Sequence, residues 1–260
     1  MARHNDISLY CIAVSKPAIK DMGEKQRATL SVKIVKGARD SYDGEVHLKV
    51  TYPVIATSNK KIIETLADVK ENDILLIKGN VITTSTTKKP KCEHCGFENK
   101  FDGILTYINP INVLIVKTGN TKEEALKNIV KNREFSNEVC IIGHLCSAPE
   151  RVPVVKDITE TQYKIGIPRK FHIREELEDV KSDFPYVKSY GKNAEDDMKY
   201  AKTGTTVLID GYLQSRRFPR TCSCEQCGQD FIWHDSVLEI VPYQSEYLKN
   251  LRIEEEDEEV

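Results

Sequence analysis

The chain repeats itself at a fixed offset of 132 positions. Gly79 is repeated as Gly211, and a Cys-x-x-Cys-Gly motif occupies residues 92–96 and again residues 224–228. The correspondence holds without a gap from an apolar run, through the cysteine motif, into the next apolar run. An ungapped repeat of this length indicates a duplication, so the chain is expected to contain one small fold twice.

Each half is predicted to contain five strands with a helix between the third and the fourth. In the second half, apolar strand-length runs cover residues 139–145, 162–167, 186–190, 207–213 and 231–241, with a helical pattern over 193–202. In the first half, strands are predicted over residues 7–14, 28–35, 46–55, 74–83 and 103–116, with a helix over 60–69. This order is that of the OB-fold, a five-stranded Greek-key barrel. We therefore predict a mainly β protein of two tandem OB-folds, each with a Cys-x-x-Cys hairpin between strands 4 and 5.

The predicted boundaries follow from the repeat. An N-terminal OB-fold is expected over residues 1–117, a helical linker over 118–135, and a C-terminal OB-fold over 136–247. The helix within this linker, near 121–133, either joins the two halves or packs on the first barrel. Residues 248–260 are predicted to form a disordered acidic tail, because 254–259 are all Asp or Glu.

Composition excludes several classes of protein. No run approaches the roughly 18 apolar residues of a membrane helix, and the N-terminal residues do not resemble a secretory signal, so a cytoplasmic location is expected. Eight cysteines in that compartment favour thiols or metal ligands over disulfides. No phosphate-binding glycine loop, Ser/His/Asp arrangement or H-E-x-x-H motif occurs, so the chain is predicted not to be an enzyme.

A series of ordered blocks covers about residues 137–218 of the second half: Asn137-Glu-Val139, Ile142-Gly143-His-Leu145, Pro149-Glu150-Arg151, Tyr190-Gly-Lys-Asn-Ala-Glu195, Gly204 and Val207-Leu-Ile-Asp-Gly211-Tyr-Leu-Gln-Ser-Arg-Arg-Phe218. This pattern resembles the bacterial-type single-stranded DNA-binding protein family. It implies sequence-tolerant binding of single-stranded DNA in replication, recombination or repair, in a bacterium, a phage or another mobile element. The first half is connected to the family only through the fold outline and the duplication.

The resemblance also implies a set of binding residues. The family's base-stacking aromatic residues correspond to Phe171, Phe184, Tyr190 and Phe218. Six neighbouring cations are candidate phosphate contacts: Arg169, Lys188, Lys192, Arg216, Arg217 and Arg220. In the first half the best candidates are Tyr52 and the lysines Lys49, Lys78, Lys88, Lys89 and Lys91. The alternative for the aromatic residues is packing in the core or at its rim.

The duplicated cysteine motifs predict a structural Zn²⁺ site. Tetrahedral zinc needs four ligands and each motif offers two thiolates, so the simplest closed site combines Cys92, Cys95, Cys224 and Cys227. A rival site within the second half would use Cys222, Cys224, Cys227 and His234. The third interpretation is reduced surface thiols, or a redox pair, without metal.

The resemblance implies further partners. Members of the family act with four OB-folds together, so two per chain implies a homodimer, with a two-barrel monomer as the alternative. The family's acidic tip recruits replication and repair proteins, which makes the tail a candidate docking segment. Two other functions stay open: an RNA- or tRNA-binding OB protein, and a zinc-clamped protein–protein scaffold that binds no nucleic acid.

Overall fold

The fold was analysed in a computed structural model, which describes residues 4–23, 25–36, 48–152, 158–169 and 180–249. Strands dominate it, and the prediction of a mainly β protein with two OB-folds is confirmed. No helix in these ranges is long and apolar enough to cross a membrane.

The described part of the first barrel contains seven strands and one helix. In chain order these are β1 (Asn5–Ala13), β2 (Ala18–Met22), β3 (Lys25–Lys36), β4 (Lys49–Thr51), β5 (Val54–Thr57), α1 (Lys60–Ala67), β6 (Ile74–Lys88) and β7 (Phe101–Lys117). Strand β1 pairs with both β3 and β6, and the parallel contact of Ile55 with Ile108 joins β5 to β7. Helix α1 lies between β5 and β6, the positions of the third and fourth OB-fold strands. The Asn59 side chain caps its first turn.

The second barrel repeats this arrangement. Its elements are β8 (Glu138–Leu145), β9 (Glu150–Arg151), β10 (Glu160–Pro168), β11 (Ser182–Asp183), β12 (Tyr186–Tyr190), α3 (Lys192–Tyr200), β13 (Thr206–Ser223) and β14 (Asp230–Lys249). Val187 pairs in parallel with Ile240, and these two positions are the repeats of Ile55 and Ile108. The same closing contact therefore completes both barrels.

Helix α2 (Lys122–Lys131) connects the barrels along the chain and packs on the first one. Ala125 and Ile129 are buried against Ile12, Val35 and Ile74. A capping box between the side chains and backbones of residues 121 and 124 fixes its first turn. Both interpretations of this segment thus describe the same helix, which is a linker seated on the first barrel.

A continuous sheet joins the two barrels through their first strands. β1 pairs antiparallel with β8, and Ile7 lies opposite Val139, its own repeat. Antiparallel pairing centred on a residue and its repeat relates the barrels by a local two-fold axis. One shared core, which includes Leu9, Ile77 and Ile209, extends across this junction.

The structure corrects several predicted strands. The strand predicted over 46–55 is divided between β4 and β5, because Pro53 has no N–H for a ladder. Strands β6 and β13 continue past the predicted ends at residues 83 and 213 to Lys88 and Ser223. These extensions are rich in threonine and arginine and are largely exposed, so they lack the apolar alternation that marks a strand.

Candidate functional site

The two longest hairpins among the described residues bring four cysteines together at their tips. Strands β6 and β7 form one hairpin and β13 and β14 form the other. The Sγ atoms of Cys92, Cys95, Cys224 and Cys227 all lie within 4.8 Å of one another. Cys92 Sγ is 3.8 Å from Cys227 Sγ, and Cys95 Sγ is 3.6 Å from Cys224 Sγ. The predicted grouping of these four thiols from both repeats is confirmed.

The turn that carries each pair of thiols has the same geometry in both repeats. The N–H of Gly96 donates to the Cys92 carbonyl at 2.9 Å, and the N–H of Gly228 donates to the Cys224 carbonyl at 2.9 Å. Gly96 has φ +75° and Gly228 has φ +70°. Glycine adopts this left-handed conformation without a Cβ penalty, which lets the chain fold back and direct both sulfurs to one point.

The electrostatics of the cluster favour a bound cation. Backbone N–H groups of Cys227 and Gln226 lower the pKa of the Cys224 thiol to about 6. The Phe97 N–H lowers the pKa of the Cys95 thiol, but desolvation and the neighbouring thiols together outweigh it and raise that pKa to about 12. Four sulfurs at this spacing cannot all ionise unless a positive charge lies among them.

The rival set of ligands is not assembled. Cys222 is buried in the hairpin stem, where its thiol donates to the Arg220 carbonyl at 3.8 Å. His234 is exposed and is not part of the cysteine cluster. Among the described residues, the four cysteines are the single group of three or more Cys, His, Asp or Glu ligands close enough for one metal.

The stems of the hairpins brace each other below the cysteines. Lys88 Nζ of the first repeat lies 5.6 Å from the ring centroid of Trp233 in the second. Arg220 Cζ of the second repeat lies 5.5 Å from the ring centroid of Phe101 in the first. Arg220 is the repeat of Lys88 and Trp233 is the repeat of Phe101, so the same cation–π contact is made twice across the two-fold axis.

Two of the predicted stacking residues share one face of the second barrel. Tyr190 Oη accepts a hydrogen bond from Gln214 Nε2 at 2.9 Å, and Arg216 Cζ lies 5.0 Å from the Phe218 ring centroid. Positions 214, 216 and 218 alternate along β13 and therefore point to the same side of the sheet. Both Tyr190 and Phe218 are half-buried.

A buried carboxylate organises this face. Glu239 is fully buried and accepts hydrogen bonds from Arg216 Nε at 3.1 Å and from Gln214 Nε2 at 3.3 Å. Sequence reasoning missed Glu239, although an acid inside the apolar run Val237-Leu-Glu-Ile-Val241 is a usable signal for a buried polar partner.

Phe184 lies apart from this face, beside the first barrel. Its side chain is 45% exposed, and its N–H donates to Thr83 Oγ1 at 2.9 Å. Next to it, Asp183 Oδ1 accepts from the Thr83 N–H at 2.7 Å. The loop that carries Phe184 is therefore fixed by strand β6 of the other repeat.

Arg169 lies in the interior of this contact. It is 3% exposed and donates from Nε and Nη2 to the Asp183 carboxylate at 2.8 Å. Its Nη2 also donates to the Thr83 carbonyl at 3.2 Å. Its charge thus ties the two barrels together and is not directed to the surface.

The remaining predicted cations divide into two groups. Lys188 is buried and its Nζ lies 2.8 Å from Glu160 Oε2, while Lys192 pairs with Asp196 one helical turn away. Arg217 and Arg220 are exposed on β13. Phe171, the fourth predicted stacking residue, lies outside the described residues.

Comparison with known proteins identifies relatives of the second repeat. Residues 136–226 match the Single-strand binding protein family. The chain is 31% identical over 84 residues to Single-stranded DNA-binding protein 1 of Streptococcus pyogenes and 30% identical to Single-stranded DNA-binding protein 2 of Streptococcus agalactiae. Each match covers 32% of this chain and spans 63% of the length of the relative.

Solved structures share the fold of the whole chain. The wild-type single-stranded DNA binding protein from Thermus aquaticus has a TM-score of 0.65 at 10% identity, with 96% of this chain and 95% of that chain covered. A deletion mutant of the same protein has a TM-score of 0.64 at 14% identity, with 98% and 100% covered. The second repeat, at residues 136–226, is therefore similar to the Single-strand binding protein family, and the chain shares its fold with the Thermus aquaticus structures.

Proposed function

We propose that this protein binds single-stranded DNA without reading its sequence, stacking bases on the aromatic residues of the second repeat. The observation that carries the proposal is that the family match at 136–226 includes Phe184, Tyr190 and Phe218, which are at least partly exposed. Flat aromatic side chains stack on any base, and each stacked base contributes roughly 1–3 kcal/mol. The names of the streptococcal relatives support the choice of DNA as the ligand.

We assign the phosphate contacts first to Arg217 and Arg220, the two exposed arginines of strand β13. Arg220 lies on the same side of the strand as Phe218, with its guanidinium over the Phe101 ring, and Arg217 lies on the opposite side. Arg216 is engaged by the Glu239 carboxylate and has its guanidinium over the Phe218 ring, where it holds that ring in place. Arg169 and Lys188 are buried in ion pairs and are left out of the proposed contact surface.

We further propose that the four cysteines hold one structural Zn²⁺. Tetrahedral coordination with Zn–S bonds of about 2.3 Å separates the sulfurs by about 3.8 Å. The Cys95–Cys224 and Cys92–Cys227 Sγ–Sγ distances between the repeats are 3.6 and 3.8 Å, which fits this geometry with little movement. Because each repeat supplies two ligands, such an ion would lock the hairpin of one barrel to that of the other.

Two further expectations belong to this proposal. A role in replication, recombination or repair follows from single-strand binding, since each of these processes exposes single strands. A homodimer would bring four OB-folds together, as the family resemblance implies. The acidic segment expected to recruit partner proteins lies almost entirely outside the described residues.

The proposal is tested by fluorescence anisotropy. A labelled oligothymidylate of about thirty nucleotides, long enough for two OB-folds, is titrated with protein at two salt concentrations, with duplex DNA and RNA as competitors. Binding that weakens with salt and resists duplex competition supports the proposal. Equal competition by RNA would assign the protein to RNA, and no binding at low salt would favour the zinc-clamped scaffold.

A further inference from the structure

We propose that a second base-binding site lies between the repeats, where Tyr52 of the first barrel faces the Trp233 hairpin of the second. The inference rests on the proposed function and adds a site whose two aromatic rings lie outside the segment that matches the family. The groove has a volume of about 390 Å³, within the range of about 300–1,000 Å³ that small-molecule and cofactor sites occupy. Both repeats line it, so neither half of the chain forms it alone.

The repeat relationship identifies Tyr52 as the counterpart of Phe184. The two residues are 132 positions apart and each is followed by proline. Tyr52 is 53% exposed, which is more than is needed for a residue whose role is packing. A half-exposed aromatic ring is therefore presented at the same place on each barrel.

The backbone beside each ring is anchored in the same way. Asp183 accepts from the N–H of Thr83, and the corresponding Thr51 Oγ1 accepts from the N–H of Ser215 at 3.4 Å. In both cases the residue before the aromatic residue contacts the opposite barrel: Asp183 contacts β6 and Thr51 contacts β13. The groove at Tyr52 is thus the two-fold counterpart of the groove at Phe184.

The chemistry of the Tyr52 groove suits one base of a single strand. Trp233 is half-buried and lines the groove together with the exposed apolar side chains of Ile104 and Leu105. The exposed Lys89 lies at the same groove and offers a cation to a phosphate. Lys88 is paired with the buried Asp235, so it braces the Trp233 ring while Lys89 supplies the accessible charge.

Trp233 provides a probe for this site, because it is the only tryptophan in the chain. A base stacked in the groove would quench its fluorescence. We would titrate the wild-type protein with oligothymidylate of about thirty nucleotides and follow Trp233 emission and the anisotropy of the labelled strand in parallel. The expected result is quenching that follows the same binding curve as the anisotropy.

Three variants sharpen the test. Tyr52→Ala is expected to weaken binding about fivefold or more and to remove most of the quenching. Tyr52→Phe keeps the ring and should preserve both signals. Phe135→Ala removes an exposed aromatic residue at the linker, outside the groove, and should change neither. Circular dichroism verifies that each variant is folded.

The outcomes separate this inference from the proposed function. Anisotropy that reports binding while Trp233 emission stays constant would overturn the second site and leave the proposed function intact. Quenching and affinity that both survive Tyr52→Ala would overturn it as well. An absence of binding in the anisotropy experiment would reject the proposed function, and this site with it.

Discussion

Gly79 and Gly211 occupy the same β-bulge of their two barrels. A Cβ atom at Gly79 would lie 2.5 Å from the Asn109 carbonyl oxygen, and one at Gly211 would lie 2.3 Å from the Val241 carbonyl oxygen. The register of each ladder shifts immediately before the glycine. The two glycines let β7 cross close to β6 and β14 cross close to β13. This close crossing curves each sheet into a barrel.

Alanine at either bulge is therefore expected to destabilise the protein. Gly79→Ala and Gly211→Ala should each lower the free energy of unfolding by about 1–3 kcal/mol, since the clash is with backbone that cannot move aside. Gly166→Ala is the control, because its new Cβ would come no closer than 3.4 Å to its neighbours, which is ordinary van der Waals contact. Chemical denaturation measures all three. A bulge variant as stable as the control would contradict the assignment.

The ion pair between Arg169 and Asp183 predicts a second stability effect. Asp183→Ala leaves the buried guanidinium without its carboxylate, so the unfolding free energy should fall by about 3–5 kcal/mol. Asp196→Ala breaks the pair with the exposed Lys192 and should change stability by no more than about 0.5 kcal/mol. Equal effects of the two substitutions would show that Asp183 does not hold the barrels together.

A shared zinc site predicts a specific pattern of metal content. Native mass spectrometry should find one Zn²⁺ per chain in the wild type. Cys92→Ser and Cys224→Ser should each lose it, because each repeat supplies half of the ligands. His234→Gln should keep it. Retention of zinc by Cys92→Ser together with loss in His234→Gln would support the rival site in the second repeat.

Several cations of the second barrel are already paired with carboxylates. The affinity for single-stranded DNA is therefore expected to depend only weakly on the salt concentration. The two phosphate contacts of the second barrel give a slope of log affinity against log salt near about −1.4, to which Lys89 at the Tyr52 groove adds about −0.7, whereas six contacts in the second barrel alone would give about −4.2. Arg217→Gln should reduce the magnitude of the slope by about 0.7. Lys192→Gln should leave it unchanged, because Asp196 already neutralises that lysine. A steep slope in the wild type would mean that the paired cations release their carboxylates on binding.

The fixed offset explains how much of the site could be predicted from sequence. Residues 92–95 and 224–227 could be paired in advance because equivalent positions of a duplicated fold are related by symmetry. The sequence does not state where that symmetry axis lies, so the contact of Ile7 with Val139 and the crossed stems at Trp233 appear only in the structure.

The roles of individual cations were harder to predict. Lys188 lies next to an aromatic position in a strand and was expected to contact phosphate, yet it is buried against Glu160. Arg169 was expected at the surface for the same reason and lies in the interior. In each case the carboxylate that pairs with the cation is distant in sequence, and hydrophobic periodicity carries no information about that pairing.

The most direct test of the account removes two of the proposed stacking rings of the second repeat, the exposed Phe184 and the half-buried Phe218. The double variant Phe184→Ala/Phe218→Ala is compared with the wild type and with Phe135→Ala by anisotropy on labelled oligothymidylate. The account predicts that the double variant binds at least tenfold more weakly, since each lost stack removes roughly 1–3 kcal/mol, and that Phe135→Ala binds like the wild type. Unchanged affinity of a folded double variant would contradict base stacking on these two rings.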